Sequence, residues 1–152
     1  MPTSLPSSPS FVPRAMFRSI FSFACLLCAI ATVILLHSIE ILDGCDLEHA
    51  LLLLAYFNAA IWMALWLFVC LPFLRSCAKL VRLNALPPFA GLLASALLLY
   101  YSQEGTIARC ADAERQQSVL FATGSNALLA FLLFVAELSC KGRRGKEYEQ
   151  IP

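Results

Sequence analysis

Charge is scarce in this chain. Asp, Glu, Lys and Arg together supply 14% of the residues, against about 25% in an average soluble domain. Hydrophobic residues supply 60%, and the mean hydropathy is +0.75. Disorder requires the opposite balance and is excluded. An ordinary soluble globule is excluded too, because 152 residues cannot enclose that much apolar surface. The net charge of +1 leaves no basic excess for nucleic acid. Histidine is nearly absent, and neither His37 nor His49 stands at ligand spacing from a cysteine pair, so no metal site and no cofactor are expected. What remains is a membrane protein of one compact domain.

Crossing a hydrocarbon core of about 30 Å takes about 20 apolar residues in helical form. Four such runs stand at 17–39, 50–74, 83–101 and 118–138. They are continuously apolar rather than alternating, which excludes a β-barrel. The connections are short, so neighbouring helices should run antiparallel. The expected fold is all-α: an integral membrane four-helix bundle, up-down-up-down, over residues 16–140. Residues 1–15 are expected to be a disordered tail, since Pro2, Pro6, Pro9 and Pro13 oppose a helix. Residues 141–152 form a basic tail.

Arg14, Arg18, Arg75, Lys79, Arg82, Lys141, Arg143, Arg144 and Lys146 fall on one side of this arrangement, and only Arg109 and Arg115 on the other. The positive-inside rule then places both termini in the cytosol. The first apolar run is longer than the core of a signal peptide, so a retained helix is expected. A multi-pass protein of the plasma membrane or endomembranes follows; a mitochondrial presequence is disfavoured by the same prolines.

The seven cysteines sort by depth. Cys45 and Cys110 are alone on the outer side, where an oxidising compartment permits a disulfide between the two outer loops. Cys25-Leu-Leu-Cys28 has the C-x-x-C form, but inside an apolar span a thiolate is costly, so packing is the expected role. Cys77 and Cys140 stand near the inner face beside basic residues, as palmitoylated cysteines do.

Polar residues within spans call for a role. Thr32, Asn58, Ser95 and Asn126 fall at similar depths and are expected to form one polar layer. Its expected role is an interhelical hydrogen-bonded clasp; a small-molecule or ion site is the alternative. Glu137 is the acidic residue within a span, and Lys141 at i+4 is its expected partner. Ala60-x-x-x-Ala64, Ala90-x-x-x-Ala94 and Gly91-x-x-x-Ser95 offer close helix approach. No set of side chains has catalytic form.

The basic tail suits anionic lipid. It ends in Tyr148-Glu149-Gln150-Ile151, which resembles the tyrosine sorting signals read by clathrin adaptors, with pockets for Tyr148 and Ile151.

Four spans, cytosolic termini, short loops and this length resemble the MARVEL and related tetraspan proteins. The first outer loop, with one cysteine and no tryptophan, departs from the claudin pattern. The MARVEL resemblance implies a non-enzymatic protein that organises membrane domains or vesicle traffic. Its partners would be the lipid bilayer and other membrane proteins. A small transporter or channel subunit is the alternative, and a membrane thiol enzyme a more distant one.

Overall fold

The computed structural model describes residues 14–44, 46–71, 86–104 and 106–148. These are helical throughout apart from short connections, with no strand among them. The elements are α1 (Arg14–Leu42), α2 (His49–Cys70), α3 (Leu86–Glu104), α4 (Thr106–Cys110) and α5 (Ala113–Tyr148).

Helix boundaries follow the local chemistry. Arg14 to Leu42 contains neither glycine nor proline, and α1 runs unbroken through it. It ends at Gly44, whose φ of +62° is the left-handed conformation that closes helices. Within α2 there is again no glycine or proline. Leu71 precedes Pro72, is forced out of the helical region and sits extended at φ −93° and ψ 109°. Pro87 and Pro88 occupy the first turn of α3, where a missing amide proton costs nothing. The α4 turn, inside a segment expected to be loop, closes with the Ala111 amide donating to Ile107 O at 3.0 Å.

Three helical stretches are long and apolar enough to cross a membrane: Met16–Leu42, His49–Cys70 and Ala113–Ser139. The expected third span is the exception. Its described part, α3, spends two positions on prolines at one end and Tyr100, Tyr101, Ser102 and Gln103 at the other. The apolar stretch between is short for a bilayer. At the other extreme, α5 continues past the expected boundary at 138 into the basic tail; its 36 residues span about 54 Å.

Helix α1 packs against α2 and α5, and α3 packs against the same two, closing a ring. Side-chain pairs fix how they lie. Ser19 meets Cys70 and His37 meets Tyr56 between α1 and α2. Arg18 meets Glu137 and Asp43 meets Arg115 between α1 and α5. Phe89 meets Phe134 between α3 and α5.

Buried residues on α2 are Leu51, Ala55, Asn58, Trp62 and Leu65; on α5 they include Val119, Ala122, Asn126, Ala130, Leu133 and Glu137. Both sets step by three and four, the spacing of a helix that presents one seam to its neighbours. The apolar core divides in two. One cluster holds Leu36, Ile39, Leu47, Leu51, Ala55, Leu98, Ile107 and Val119. The other holds Cys25, Leu26, Ala29, Trp62, Leu65, Ala130 and Leu133. Large apolar side chains such as Ile34, Leu53, Phe57, Phe121 and Leu128 point outward. In water they would be a liability; in a bilayer they meet lipid.

Candidate functional site

Along their helices, four buried polar residues fall between members of the two apolar clusters. Thr32 stands between Ala29 of one cluster and Leu36 of the other. Asn58 stands between Ala55 and Trp62, and Asn126 between Val119 and Ala130. Ser95 falls between Leu92, packed on one cluster, and Leu98 of the other. All four are at most 1% exposed. Thr123, which the sequence reading passed over, is equally buried and sits one turn from Asn126.

Asn58 is the centre of a hydrogen-bonded group. Trp62 Nε1 donates to Asn58 Oδ1 at 3.0 Å along α2. Ser95 Oγ on α3 approaches the same oxygen at 3.5 Å. The shorter bond of Ser95 Oγ is its donation to Gly91 O at 2.7 Å. Thr32 Oγ1 donates to Cys28 O at 2.9 Å, and Thr123 Oγ1 to Val119 O at 2.7 Å. The indole ring of Trp62 is fully buried and lies on Gly91. A Cβ built on Gly91 would stand 2.7 Å from Trp62 Cε2, closer than carbon atoms tolerate. Glycine at 91 therefore lets the tryptophan fill the middle of the bundle.

Asn126 is different. It is 0% exposed, and neither its Nδ2 nor its Oδ1 has a hydrogen-bond partner among the described residues. A buried amide left in that state costs about 1–3 kcal/mol.

Two ionic contacts lie beyond the clusters, one at each end. Arg18 Nε stands 3.4 Å from Glu137 Oε1, with Glu137 6% and Arg18 24% exposed. The sequence pointed to Lys141 for Glu137; the Lys141 side chain lies outside the described residues. Arg18 was missed because it is remote in the chain, although each residue lies near the end of an apolar run. At the other end Arg115 Nη1 donates to Asp43 Oδ1 at 2.6 Å. Near it, His37 Nε2 and Tyr56 OH are 2.5 Å apart, and His37 Nδ1 is 3.3 Å from Glu40.

Cys25 is buried, Cys28 half-buried and Cys70 exposed, and all three are free thiols. Cys45, Cys77 and Ile151 lie outside the described residues, as do the side chains of Cys110, Cys140 and Tyr148. The backbone is helical as far as Tyr148. Of the small-residue motifs, Gly91 and Ser95 are buried and Ala94 with them, whereas Ala60 and Ala64 are exposed.

Comparison with protein-family models, curated proteins and solved structures returned no match to this chain.

Proposed function

We propose that this chain is a non-enzymatic, multi-pass membrane protein that organises membrane domains or vesicle traffic through helix and lipid contacts. In this reading α1, α2, α3 and α5 all cross the bilayer, up-down-up-down, with both termini in the cytosol. The pairings of early α1 residues with late α2 and α5 residues support it. So does the charge asymmetry, with Arg75, Lys79 and Arg82 joining Arg18 and the basic tail on one side. Kinship with the MARVEL tetraspan proteins is part of the same proposal, as is a plasma-membrane or endomembrane location.

One observation carries the reading. Along α1, α2, α3 and α5 the buried polar residues Thr32, Asn58, Ser95 and Asn126 are flanked by members of one apolar cluster toward one end and of the other toward the opposite end. On α5, Asn126 and Glu137 share a buried stripe, yet Ala130 and Leu133 stand between them. Transport needs a polar route from one face to the other; a sealed interior suits a protein whose working surface is its exterior. A transporter or channel subunit is the second reading, and the unpartnered Asn126 is the feature that favours it.

The tail and cysteines extend the proposal. Tyr148 and Ile151 would engage a clathrin adaptor, and Cys77 and Cys140 would carry palmitate. The Cys45–Cys110 bridge would join two loops whose neighbours, Leu47 and Ile107, pack in one cluster.

Proximity labelling in native cells tests the main reading, with trafficking and membrane-domain proteins as the expected neighbours. Liposomes containing the purified chain should show no solute or ion flux. Flux that Asn126→Leu abolishes would overturn the organising role in favour of transport.

A further inference from the structure

We propose that Asn126 anchors an occluded site for a small hydrogen-bonding molecule, with water as its occupant. The argument is one of donors and acceptors at one level of the bundle. Asn126 Nδ2 and Oδ1 are fully buried and have no partner among the described residues. The hydroxyl protons near this level are already engaged: Thr32 gives its proton to Cys28 O, Thr123 to Val119 O, and Ser95 at its shortest contact to Gly91 O. Such back-bonded hydroxyls present only lone pairs to their surroundings. The indole proton of Trp62 goes to Asn58. None of these four donors is left over for the Asn126 oxygen.

The register brings these groups to similar depth along the bundle. Trp62 and Ala130 share one cluster, and Asn58 and Asn126 each precede them by four residues. Helices α2 and α5 both meet the start of α1 with their later residues, so the same offset leads toward the same face. Thr32 on α1 and Ser95 on α3 lie on the two helices that flank α5. Beside the layer stand Ala94, Ala122 and Ala130, all small and all buried. A water accepts from Nδ2 and donates both protons, one to Oδ1 and one to a hydroxyl lone pair. That is the complement of the Asn126 amide. No carboxylate is present in the layer, so a divalent cation has nothing to neutralise it. The apolar clusters on either side make the site closed rather than a stretch of a channel.

The test uses the full chain in lipid nanodiscs. Asn58, Asn84 and Asn126 are its asparagines, so selective 15N labelling of asparagine side chains gives a small, assignable set of signals. Water-edited solid-state NMR should show rapid magnetisation transfer from water to the Asn126 amide, absent in N126L. Thermal unfolding of N126L should fall by several degrees, and N126S, which keeps one polar group, should fall less. Absence of transfer in the unsubstituted protein would overturn the proposal, whatever the variants do. A rise in melting temperature for N126L would also overturn it, marking the amide as empty. A stabilisation by sodium or potassium chloride over N-methylglucamine chloride, lost in N126L, would overturn water in favour of a monovalent cation.

Discussion

Trp62 is the residue on which the interior turns, and Gly91 is the reason it fits. An alanine in a helix is ordinarily better than glycine by about 1 kcal/mol. At position 91 the added methyl would meet the indole ring, and overpacking of this kind costs about 1–3 kcal/mol. Gly91→Ala should therefore destabilise the protein, read as a lower midpoint in thermal unfolding in detergent. Trp62→Phe in the same background should recover part of the loss, because the smaller ring vacates the contact. A Gly91→Ala variant more stable than the parent would show that the ring shifts freely. Asn58→Leu removes the acceptor of the Trp62 indole proton. Its expected cost is about 1 kcal/mol, the scale of polar bonds in membrane bundles. That cost should shrink when Trp62 is already phenylalanine. Equal costs in both backgrounds would remove the Trp62–Asn58 bond from the account. Depth counting along four apolar runs pointed to Thr32, Asn58, Ser95 and Asn126, and all four are buried. It did not assign Trp62 to Asn58, because a tryptophan in an apolar span reads as bulk until its nitrogen is given an acceptor. Nor could it separate Asn126 from the other three, since satisfaction of an amide depends on distances between helices.

Between elements, the most exacting contact is Arg18 with Glu137, which joins the start of α1 to a late turn of α5. Breaking one partner of a fully buried pair costs about 3–5 kcal/mol. Arg18 is a quarter exposed, so Arg18→Met or Glu137→Gln should each cost less, about 1–3 kcal/mol. The double variant should cost less than the two singles together, as for groups in direct contact. Additive losses, measured by unfolding in mixed micelles, would mean that the pair is not formed in the membrane. The end of α1 gives a second prediction. Gly44 holds a left-handed φ, and Gly44→Val should cost about 1–2 kcal/mol. An unchanged midpoint would place the turn elsewhere. The long apolar runs made α1, α2 and α5 readable, since uninterrupted hydrophobicity over that length has few other outcomes. α3 was less readable: Pro87 and Pro88 fit a helix start, but with Tyr100 to Gln103 they leave its apolar middle short. The α4 turn was not visible at all, because five residues carry no period of their own.

For the whole molecule, the disposition of α3 decides the topology. Its ring position between α2 and α5, and the contacts of Gly91 with Trp62 and Ser95 with Asn58, set it alongside helices long enough to span. A short apolar stretch in that position can cross when its polar residues face protein or the interface rather than lipid. Ser95 and Ser102 are buried in the bundle, while Tyr100 and Tyr101 are exposed near one end, where amphipathic rings favour the headgroup region. If α3 crosses, the segments 40–49 and 102–117 share one side, and 75–82 shares the other with both tails. Glycosylation acceptors inserted into the first two should be modified in microsomes, and those in 75–82 and in the carboxyl tail should remain unmodified. Modification within 75–82 would reverse the orientation drawn from the charges. Modification at 40–49 but not at 102–117 would mean that α3 enters and leaves on the cytosolic side. Arg115, bonded to Asp43, makes that outcome costly: α1 and α5 are tied at this end by a bond of 2.6 Å, and Asp43 follows a helix long and apolar enough to span. For Arg115 to lie on the cytosolic side, that bond would have to break across the full thickness of the membrane. Both outer segments are therefore expected to be modified together. Arg115→Gln should weaken the tie between α1 and α5 without moving either acceptor to the other face.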